Sequence, residues 1–299
     1  MERSYTVIML AGGLRPPPLM RQLEIPLLCL PLGPQGTLLG AWLAAIGRTP
    51  GCTDVRIVVN TDNDAQAIRG LDDFDVPDNG AQVAVSAEPA SWRGTGGLLR
   101  DLTRDGSADG VVVAVEAHCL PPASLEPLLQ GLDDDETDAV VGAGPDSEPA
   151  GLYAFKSEAI NSIPSVGYID LKEQLFPTLS ERGRPARIVK MGRRVIRVRE
   201  RSGYLRAVRA SLGETWPRCS GQATVSPSAR IAGPCIIEAE AVIEAGSVVN
   251  ESVVLAGALV GPEAVVSRSI VAPGAVIVAG RQLVDAILPP QVAESRETV

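Results

Sequence analysis

Residues 224–249 read TVSPSARIAGPCIIEAEAVIEAGSVV, and this stretch decides how the last quarter of the chain folds. Aliphatic residues recur at every sixth position, namely Val225, Ile231, Ile237, Ile243, Val249 and Leu255. A mostly small residue stands four places after each of them: Ala229, Cys235, Ala241, Ser247, Val253 and Leu259. Helices repeat at about 3.6 residues and strands at about 2, whereas a period of six is typical of a β-helix.

A left-handed β-helix explains this spacing. Three short strands form one triangular coil, and each face turns one large and one small side chain inward. The register slips after Leu255, at Val260 and Val266, and recovers near Val271. A pattern of about 55 residues predicts a short solenoid of roughly three coils. We therefore predict a hexapeptide-repeat β-helix with a C-terminal tail over 218–299.

The residues before 218 alternate between strand-like and helix-like segments. The predicted strands are 5–10, 55–59, 82–85, 111–115, 139–142, 151–155, 186–190 and 194–199. The predicted helices are 37–46, 64–71, 95–103, 171–182 and 202–212. Residues 111–115 are all apolar, which is typical of a central parallel strand. The alternation predicts a Rossmann-like α/β domain with a mostly parallel sheet over 1–217.

The composition of the 299 residues excludes several classes of protein. A net charge of −9 argues against nucleic acid as a partner, because phosphate binding requires a basic surface. His118 is the only histidine, which excludes catalytic machinery that needs a second one. The cysteines form no C-x-x-C pair, so their spacing supports neither disulfides nor a zinc site, and a cytoplasmic location is expected; they are Cys29, Cys52, Cys119, Cys219 and Cys235.

One uncharged stretch, residues 25–47, is long enough to span a bilayer. Pro26, Pro31 and Pro34 would leave backbone groups unpaired in lipid, so we predict a loop followed by a buried helix. The N-terminus, with one basic residue before a short apolar run, is not typical of a signal peptide. No membrane partner is expected.

Five motifs follow one another along nearly the whole chain: Leu10-Ala-Gly-Gly13, the proline-rich segment 26–33, Glu88 with Gly94-Thr-Gly-Gly-Leu98, Gly151-Leu-Tyr-Ala-Phe155 and Tyr168-Ile-Asp-Leu-Lys-Glu173. In this order they resemble the sugar-1-phosphate nucleotidyltransferases. This family includes the mannose-1-phosphate guanylyltransferase-like and glucose-1-phosphate thymidylyltransferase-like proteins. The resemblance implies a nucleotidyltransferase domain followed by a β-helix.

The resemblance also implies a reaction and a set of binding residues. A sugar phosphate oxygen attacks the α-phosphorus of a nucleoside triphosphate, pyrophosphate leaves, and Mg²⁺ held by carboxylates bridges the phosphates. The implied nucleotide-binding residues are Leu10, Ala11, Gly12, Gly13, Arg15 and Glu88. The implied sugar-phosphate-binding residues are Gly94, Thr95, Gly96 and Gly151.

The chain departs from the family pattern where that pattern concentrates charge. Arg15 comes directly after Gly12-Gly13-Leu14 and is followed by three prolines, which gives a shorter and stiffer phosphate loop. Leu27 stands in place of a lysine. The family's Glu-Lys-Pro element is shortened to Glu148-Pro149, without its lysine.

Both metal-binding aspartates of the family are also replaced. The first falls on His118, with Glu116 two positions earlier, and the second falls on Arg197. An arginine would repel Mg²⁺. Glu116 would lie on the same strand face about 7 Å further back, which disfavours a substitute ligand. We therefore predict no catalytic residues, no metal site and no cofactor.

These losses predict a catalytically impaired sugar-nucleotide pyrophosphorylase homologue that binds a nucleotide sugar or a partner subunit in a regulatory or scaffolding role. The alternative is an active, Mg-dependent nucleotidyltransferase. An acidic pocket around Glu88, Glu116 and Asp170 would favour activity, whereas Arg197 in the metal position would favour its loss. A remote alternative, a hexapeptide acyltransferase, is disfavoured because the β-helix segment contains no histidine.

The remaining predictions concern subunit assembly, the charged segments and His118. The resemblance implies that the short β-helix mediates subunit assembly or regulation, which favours a homo-oligomer or an active homologous subunit as partner. Residues 182–209 hold eleven basic residues against Glu200 alone, which indicates a surface for an acidic partner or an anionic ligand. Residues 133–136 are predicted to be a solvated acidic turn. His118 is either a base or ligand at a strand end or a packed residue.

Overall fold

The computed structural model describes residues 4–13, 15–33, 36–72, 74, 77, 79–88, 93–103 and 110–291. The chain forms two compact units, Met1–Arg15 with Leu38–Ile196, and Pro16–Thr37 with Arg197–Val299. The grouping places 16–37 and 197–217 with the β-helix segment. The domain bounds 1–217 and 218–299 stay a prediction.

The elements up to the β-helix, in chain order, are β1 (Tyr5–Leu10), α1 (Pro18–Leu23), β2 (Pro31–Gly33), β3 (Gly36–Thr37), α2 (Leu38–Gly47), β4 (Cys52–Val59), α3 (Asp62–Arg69), β5 (Gln82–Ala87), α4 (Gly94–Thr103), β6 (Val111–Glu116), α5 (Glu126–Gln130), β7 (Ala139–Ala143), β8 (Pro149–Lys156), α6 (Ser157–Asn161), α7 (Phe176–Glu181), β9 (Arg187–Lys190) and α8 (Arg201–Leu212). A 3₁₀ turn covers Leu27–Cys29, and a π-helical turn covers Leu171–Leu175.

The first unit is built on a seven-stranded sheet in the order β5-β4-β1-β6-β8-β7-β9. β5, β4, β1 and β6 are parallel, β8 is antiparallel to both neighbours, and β9 is parallel to β7. β1 and β6 are buried along almost their whole length, because helices cover both faces of the sheet. The predicted α/β fold with a mostly parallel sheet is confirmed.

Two predicted elements of this region are wrong. The described residues 194–199 form no strand, because Arg193 and Arg194 lie exposed in a turn and only single backbone bonds, such as Leu120 N–H to the Ile196 carbonyl, hold the segment. The predicted helix 171–182 is split. Pro177 has no N–H to continue the helical ladder, so a π-helical turn precedes α7.

The second unit contains the β-helix, whose strands are β10 (Arg218–Cys219), β11 (Thr224–Val225), β12 (Arg230–Ala232), β13 (Ile236–Ile237), β14 (Val242–Ile243), β15 (Val248–Asn250), β16 (Val253–Val254), β17 (Leu259–Val260), β18 (Val265–Ser267), β19 (Ile270–Val271), β20 (Val276–Ile277), β21 (Gln282–Val284) and β22 (Ile287–Leu288). They stack as three parallel sheets of five, four and four strands. The predicted left-handed β-helix is therefore present, with four coils and one further strand rather than three coils.

The register of the coils corrects the predicted spacing. Arg218 pairs with Ile236, which gives a first coil of 18 residues, whereas Ile236 pairs with Val253, which gives a coil of 17. The partner of Ile237 is consequently Val254 and not Leu255, so the slip begins one step earlier than predicted. The shortened corners carry residues with positive φ, namely Glu251, Arg268 and Asp285.

Buried polar groups stabilise the shortened corners. The Ser252 hydroxyl accepts a hydrogen bond from the Ser269 N–H at 3.0 Å, and the Ser269 hydroxyl accepts one from the Ala286 N–H at 3.1 Å. One coil earlier, the Cys235 sulfur accepts from the Ser252 N–H at 3.4 Å. Cys235, Ser252 and Ser269 therefore satisfy backbone donors that would otherwise be buried unpaired.

Two predictions about the apolar stretch 25–47 can be compared with the structure. The described part of the stretch, 25–33 and 36–47, consists of loop, the 3₁₀ turn, short strands and α2, whose Leu38, Leu39 and Trp42 are buried, as predicted. Pro34 lies outside the described residues. Among the described residues, no helix is both long and apolar enough to cross a membrane.

Candidate functional site

The loop after β1 is packed against the end of β4. The Gly13 N–H donates a hydrogen bond to Oδ1 of Asn60 at 2.7 Å. A Cβ on Gly12 would lie 3.0 Å from the same oxygen, so a larger residue there would require Asn60 to shift. The loop therefore lies at the carboxyl ends of the parallel strands, where α/β proteins bind ligands. Sequence reasoning missed Asn60, although a polar residue directly after a buried strand is a usable signal.

Five of the predicted binding residues meet around one small pocket. It is lined by Leu10, Gly12, Gly13, Val58, Glu88, Thr95 and Leu98 and encloses about 40 Å³. Ligand pockets usually begin at about 300 Å³, so this pocket is small. A nucleotide would therefore have to widen the pocket. Leu14 and residues 89–92 lie outside the described residues.

Glu88 is the ionisable group of this pocket. Its N–H donates to the Val59 carbonyl at 2.8 Å, which fixes the residue at the end of β5. Burial raises the pKa of the Glu88 carboxyl. Of the three acidic residues expected to form a common pocket, only Glu88 lines this one; Glu116 and Asp170 do not.

The glycine-rich start of α4 packs against the segment that precedes the π-helical turn. The Gly96 N–H donates to the Ile169 carbonyl at 2.9 Å. Gly94 has φ +71°, and a Cβ on it would lie 2.5 Å from the same carbonyl oxygen. The Thr95 hydroxyl donates to Oδ2 of Asp170 at 3.3 Å. These contacts use a backbone donor that the resemblance assigns to a sugar phosphate.

Glu116 ends β6, and three neighbours surround its carboxylate. Oε1 accepts a hydrogen bond from the Tyr153 hydroxyl at 3.2 Å and one from the Lys172 ammonium at 3.4 Å. Oε2 lies 3.4 Å from Nε2 of His118. His118 first, and then Lys172, hold the pKa of Glu116 at about 2 although burial opposes them. Glu116 is therefore ionised and already neutralised by groups of the protein.

Gly151 lies against Glu116 rather than in the small pocket. Its φ is +69°, and a Cβ would lie 2.8 Å from Cβ and 2.9 Å from Oε2 of Glu116. Only glycine lets β8 approach β6 so closely at this point. The predicted contact of Gly151 with a sugar phosphate stays a prediction, and the structure adds a steric role.

The donor groups next to Glu116 decide which metal could bind there. One ligand atom each of Glu116, His118 and Cys119 lies within 4.8 Å of the others. Mg²⁺ prefers six oxygen ligands, whereas this set offers one oxygen, one nitrogen and one sulfur beside an ammonium group. The residues present therefore do not fit Mg²⁺.

The remaining sequence-predicted residues lie apart from this centre. Ala11 is half-buried and Arg15 is exposed. Glu148 accepts a hydrogen bond from the Val195 N–H at 3.2 Å, a role in the loop rather than in a pocket. Arg197 belongs to the second unit.

The arginine-rich segment pairs with acidic residues of the same unit. In the first unit, Arg187 lies 3.6 Å from Asp134 and Arg194 lies 3.4 Å from Asp146. Residues 133–136 form an exposed turn, as predicted. In the second unit, Arg209 lies 3.1 Å from Glu251. Several basic residues are therefore neutralised within the protein, which reduces the surface left for an acidic partner.

The chain is similar in structure to a known protein. A solved structure described as a glucose-1-phosphate thymidylyltransferase from Bacillus anthracis, in complex with a sucrose, matches with a TM-score of 0.55. The match covers 72% of this chain and 98% of that chain, at 15% sequence identity. The fold is sugar nucleotidyltransferase-like. No family model matches the chain, and no curated protein matches it.

The sugar nucleotidyltransferase-like fold explains why the predicted binding residues lie close together. Because these strands are parallel, the carboxyl ends of β1, β5 and β6 lie at the same end of the sheet. At 15% identity the structural likeness shows the fold alone, and the activity depends on the side chains at these strand ends.

Proposed function

We propose that this protein is a catalytically impaired homologue of the sugar-nucleotide pyrophosphorylases that binds a nucleotide sugar in a regulatory or scaffolding role. The observation that carries the proposal is the set of contacts that the Glu116 carboxylate makes within the protein. Glu116 is the carboxylate next to His118, the position at which the family resemblance places a metal ligand, and it is held by Lys172, Tyr153 and His118. A carboxylate neutralised in this way contributes little charge to an incoming Mg²⁺.

The phosphate-binding donors support the same conclusion. Nucleotidyl transfer depends on positioning and on neutralising the charge of a triphosphate. The N–H groups of Gly13 and Gly96 already donate to Asn60 and Ile169. A triphosphate would have to displace these internal bonds, and each exchange costs part of the binding free energy.

The small pocket supports binding of the less charged part of a nucleotide sugar. Leu10, Val58 and Leu98 form apolar walls that suit the face of a base once the pocket widens. Glu88 is the polar group among them and would accept hydrogen bonds from a base or a sugar hydroxyl.

The partner and location are part of the proposal. A β-helix exposes unpaired strand edges at its ends, which favours association with a second copy or with an active homologous subunit. Val278 and Val284, near the C-terminal end of the β-helix, are 60% and 46% exposed and would be covered by such contact. A cytoplasmic location agrees with five cysteines that remain thiols.

An active, Mg-dependent enzyme is the second candidate, and one observation favours it. Glu116 stays ionised, and the Lys172 side chain beside it is 60% exposed and can move away. The nitrogen and sulfur donors beside it argue against this candidate, as described above.

Two measurements on the purified full chain separate these candidates. The first is pyrophosphate release with Mg²⁺, the common nucleoside triphosphates and the 1-phosphates of mannose, glucose and N-acetylglucosamine. The second is calorimetric binding of nucleotide sugars with and without a chelator. We expect no release, and binding that persists in the chelator. Turnover of about 1 s⁻¹ or faster would overturn the impairment and favour the active enzyme.

A variant locates the binding. Glu88→Ala removes the polar group of the pocket and should weaken binding by about tenfold. Glu158→Ala, on the exposed face of α6, is the matched control and should leave binding unchanged. Equal affinities of the two variants would place the ligand elsewhere. No binding by the unmodified protein would overturn the proposed ligand.

A further inference from the structure

We propose that Glu116, His118 and Cys119 form a binding site for a divalent transition metal of the Zn²⁺ and Co²⁺ class. The inference goes beyond the proposed function, because it concerns the protein alone and requires no nucleotide. It also goes beyond the spacing of the cysteines, which contains no zinc motif.

The distance between the first two ligands has the value that a shared metal requires. Oε2 of Glu116 and Nε2 of His118 are 3.4 Å apart. Two atoms bound tetrahedrally at about 2.0–2.1 Å from one zinc ion lie about 3.4 Å from each other. Nε2 of His118 is buried and has no hydrogen-bond partner among the described residues. The two atoms are therefore spaced as ligands of one ion.

The third ligand completes a mixed set. Sγ of Cys119 lies within 4.8 Å of the other two atoms, and the Cys119 side chain is buried. One carboxylate, one imidazole and one thiolate favour zinc-class metals over Mg²⁺, because nitrogen and sulfur are softer donors than oxygen. Three protein ligands leave a fourth position for water or for an anion.

The turn that carries the ligands is fixed by its surroundings. The indole N–H of Trp42 is shared between the carbonyls of Ala117 and Cys119, at 3.2 and 3.0 Å. Trp42 is fully buried. The Cys119 N–H donates to the Glu116 carbonyl at 3.2 Å, which closes the turn. A fixed backbone holds three ligands from neighbouring positions close together, so little ordering entropy remains for the metal to overcome.

Tyr153 and Gly151 hold the carboxylate end of the site. The Tyr153 hydroxyl donates to Oε1 of Glu116, which leaves Oε2 directed to His118. Such hydrogen bonds from outside the ligand set orient a metal ligand and tune its affinity. Gly151 leaves the space that Glu116 occupies, because a Cβ at this position would lie 2.9 Å from Oε2.

Lys172 is a cation that competes with the metal. Its ammonium lies 3.4 Å from Oε1 of Glu116, and its side chain is 60% exposed. A bound dication would repel this ammonium into solvent. Removal of the charge should therefore strengthen metal binding, an effect opposite in sign to that of removing a ligand.

The test is a titration of the metal-free full chain with Co²⁺, followed by absorption spectroscopy and then by competition with Zn²⁺. We expect one ion per chain, a thiolate-to-cobalt charge-transfer band and the intense visible bands of a four-coordinate ion. Zn²⁺ should displace the Co²⁺, and millimolar Mg²⁺ should not. Absence of saturable binding of both metals would overturn the proposal.

Variants assign the ligands. Cys119→Ser should abolish the charge-transfer band, and His118→Gln should weaken binding by about tenfold or more. Cys219→Ser is the matched control because Cys219 is the exposed thiol, and it should leave the spectrum unchanged. A band that persists in Cys119→Ser, or that is lost in Cys219→Ser, would show adventitious coordination and overturn the assignment.

Lys172→Met keeps the test decisive if a ligand variant fails to fold. It alters an exposed side chain, and we expect about three- to tenfold tighter Co²⁺ binding. Unchanged or weaker binding in this variant would contradict a metal bound at Glu116. Failure of the nucleotide-sugar experiment would leave this outcome unaffected, because no nucleotide is present.

Discussion

The β-helix and the candidate site differ in what fixes the position of a side chain. We call the candidate site, with Gly13, Glu88 and Glu116 at the carboxyl ends of the parallel strands, the strand-edge site. In the β-helix, each residue stacks on its equivalent 17 or 18 places along the chain, and the same contact is repeated in every coil. At the strand-edge site, each contact occurs once and joins distant segments, such as Gly13 with Asn60 or Glu116 with Lys172. A repeated contact leaves a period in the sequence, whereas a single contact leaves none.

The largest expected effect tests the repeated contact. Ile243 points into the β-helix and is 1% exposed. Ile243→Ala should lower the free energy of unfolding by about 3–4 kcal/mol, because it opens a cavity between two coils. The measurement is urea unfolding. Val242→Ala, at the half-buried neighbour on the other face, should cost about 1 kcal/mol or less. Equal losses would contradict the inward direction of Ile243.

The next effect tests a contact that occurs once. Gly151→Ala combines a positive φ with a clash against Glu116 and should cost about 2–3 kcal/mol. Gly192→Ala shares the positive φ, +75°, with no atom within 4 Å of the added Cβ, and should cost about 1 kcal/mol. The difference in unfolding free energy measures the clash alone. If the two losses were the same, β8 would not be held against Glu116.

A smaller effect separates buried from exposed corners of the β-helix. Ser269→Ala leaves the Ala286 N–H without its buried acceptor and should cost about 1–2 kcal/mol. Ser228→Ala removes a similar acceptor from the Gly246 N–H at an exposed corner, where water replaces it, and should cost about 0.5 kcal/mol or less. Thermal unfolding of both variants checks this. A larger loss for Ser228→Ala would show that burial does not decide the cost.

The smallest effect depends on pH and compares one carboxyl from each region. Burial raises the pKa of Glu88 and of Glu238, and Arg218 opposes the rise at Glu238. A carboxyl with a raised folded pKa contributes stability below its unfolded pKa, and loses that contribution as the pH rises through the folded pKa. Glu88→Gln should therefore stabilise the protein at pH 7 and less so at pH 4.

The matched variant in the β-helix is Glu238→Gln. It also removes the partner of Arg218, which lies 3.3 Å away, so its stabilisation at pH 7 should be smaller than that of Glu88→Gln. Urea unfolding at the two pH values gives both differences. Stabilisation by Glu88→Gln that is greater at pH 4 than at pH 7 would contradict the direction of the Glu88 pKa.

The fold was predictable from the sequence to the extent that local patterns repeat. The apolar runs of β1 and β6 and the six-residue spacing from Val225 to Val249 gave the α/β domain and the β-helix. The slip in register was predicted, but the coil in which it begins was not, because the loss of one residue near Glu251 becomes visible only when Ile236 is paired with Val253. The strand expected at 194–199 failed because the segment has no partner ladder in the sheet.

The candidate site was predictable in part. The order of the motifs predicted that Leu10, Gly12, Gly13, Glu88 and Thr95 are binding residues. The structure places all five around one pocket. Tyr153 and Lys172 each stood within a quoted motif, yet no pattern linked either of them to Glu116. Cys119 was set aside because cysteine spacing alone predicts no metal site, whereas its neighbours in space include a histidine and a carboxylate.

The sequence alone determined most of the strands, the residues of the β-helix that repeat, and which charged residues of the family pattern are absent. Only the tertiary structure decided that Lys172 neutralises Glu116 and that the N–H groups of Gly13 and Gly96 donate to groups inside the protein. It also decided that three possible metal ligands converge at the end of β6. The physical reason is range. A hydrophobic period relates residues that are close in the sequence, so it can be recognised there. The hydrogen bonds and ion pairs of the site join residues that are distant in the sequence and that only folding brings together.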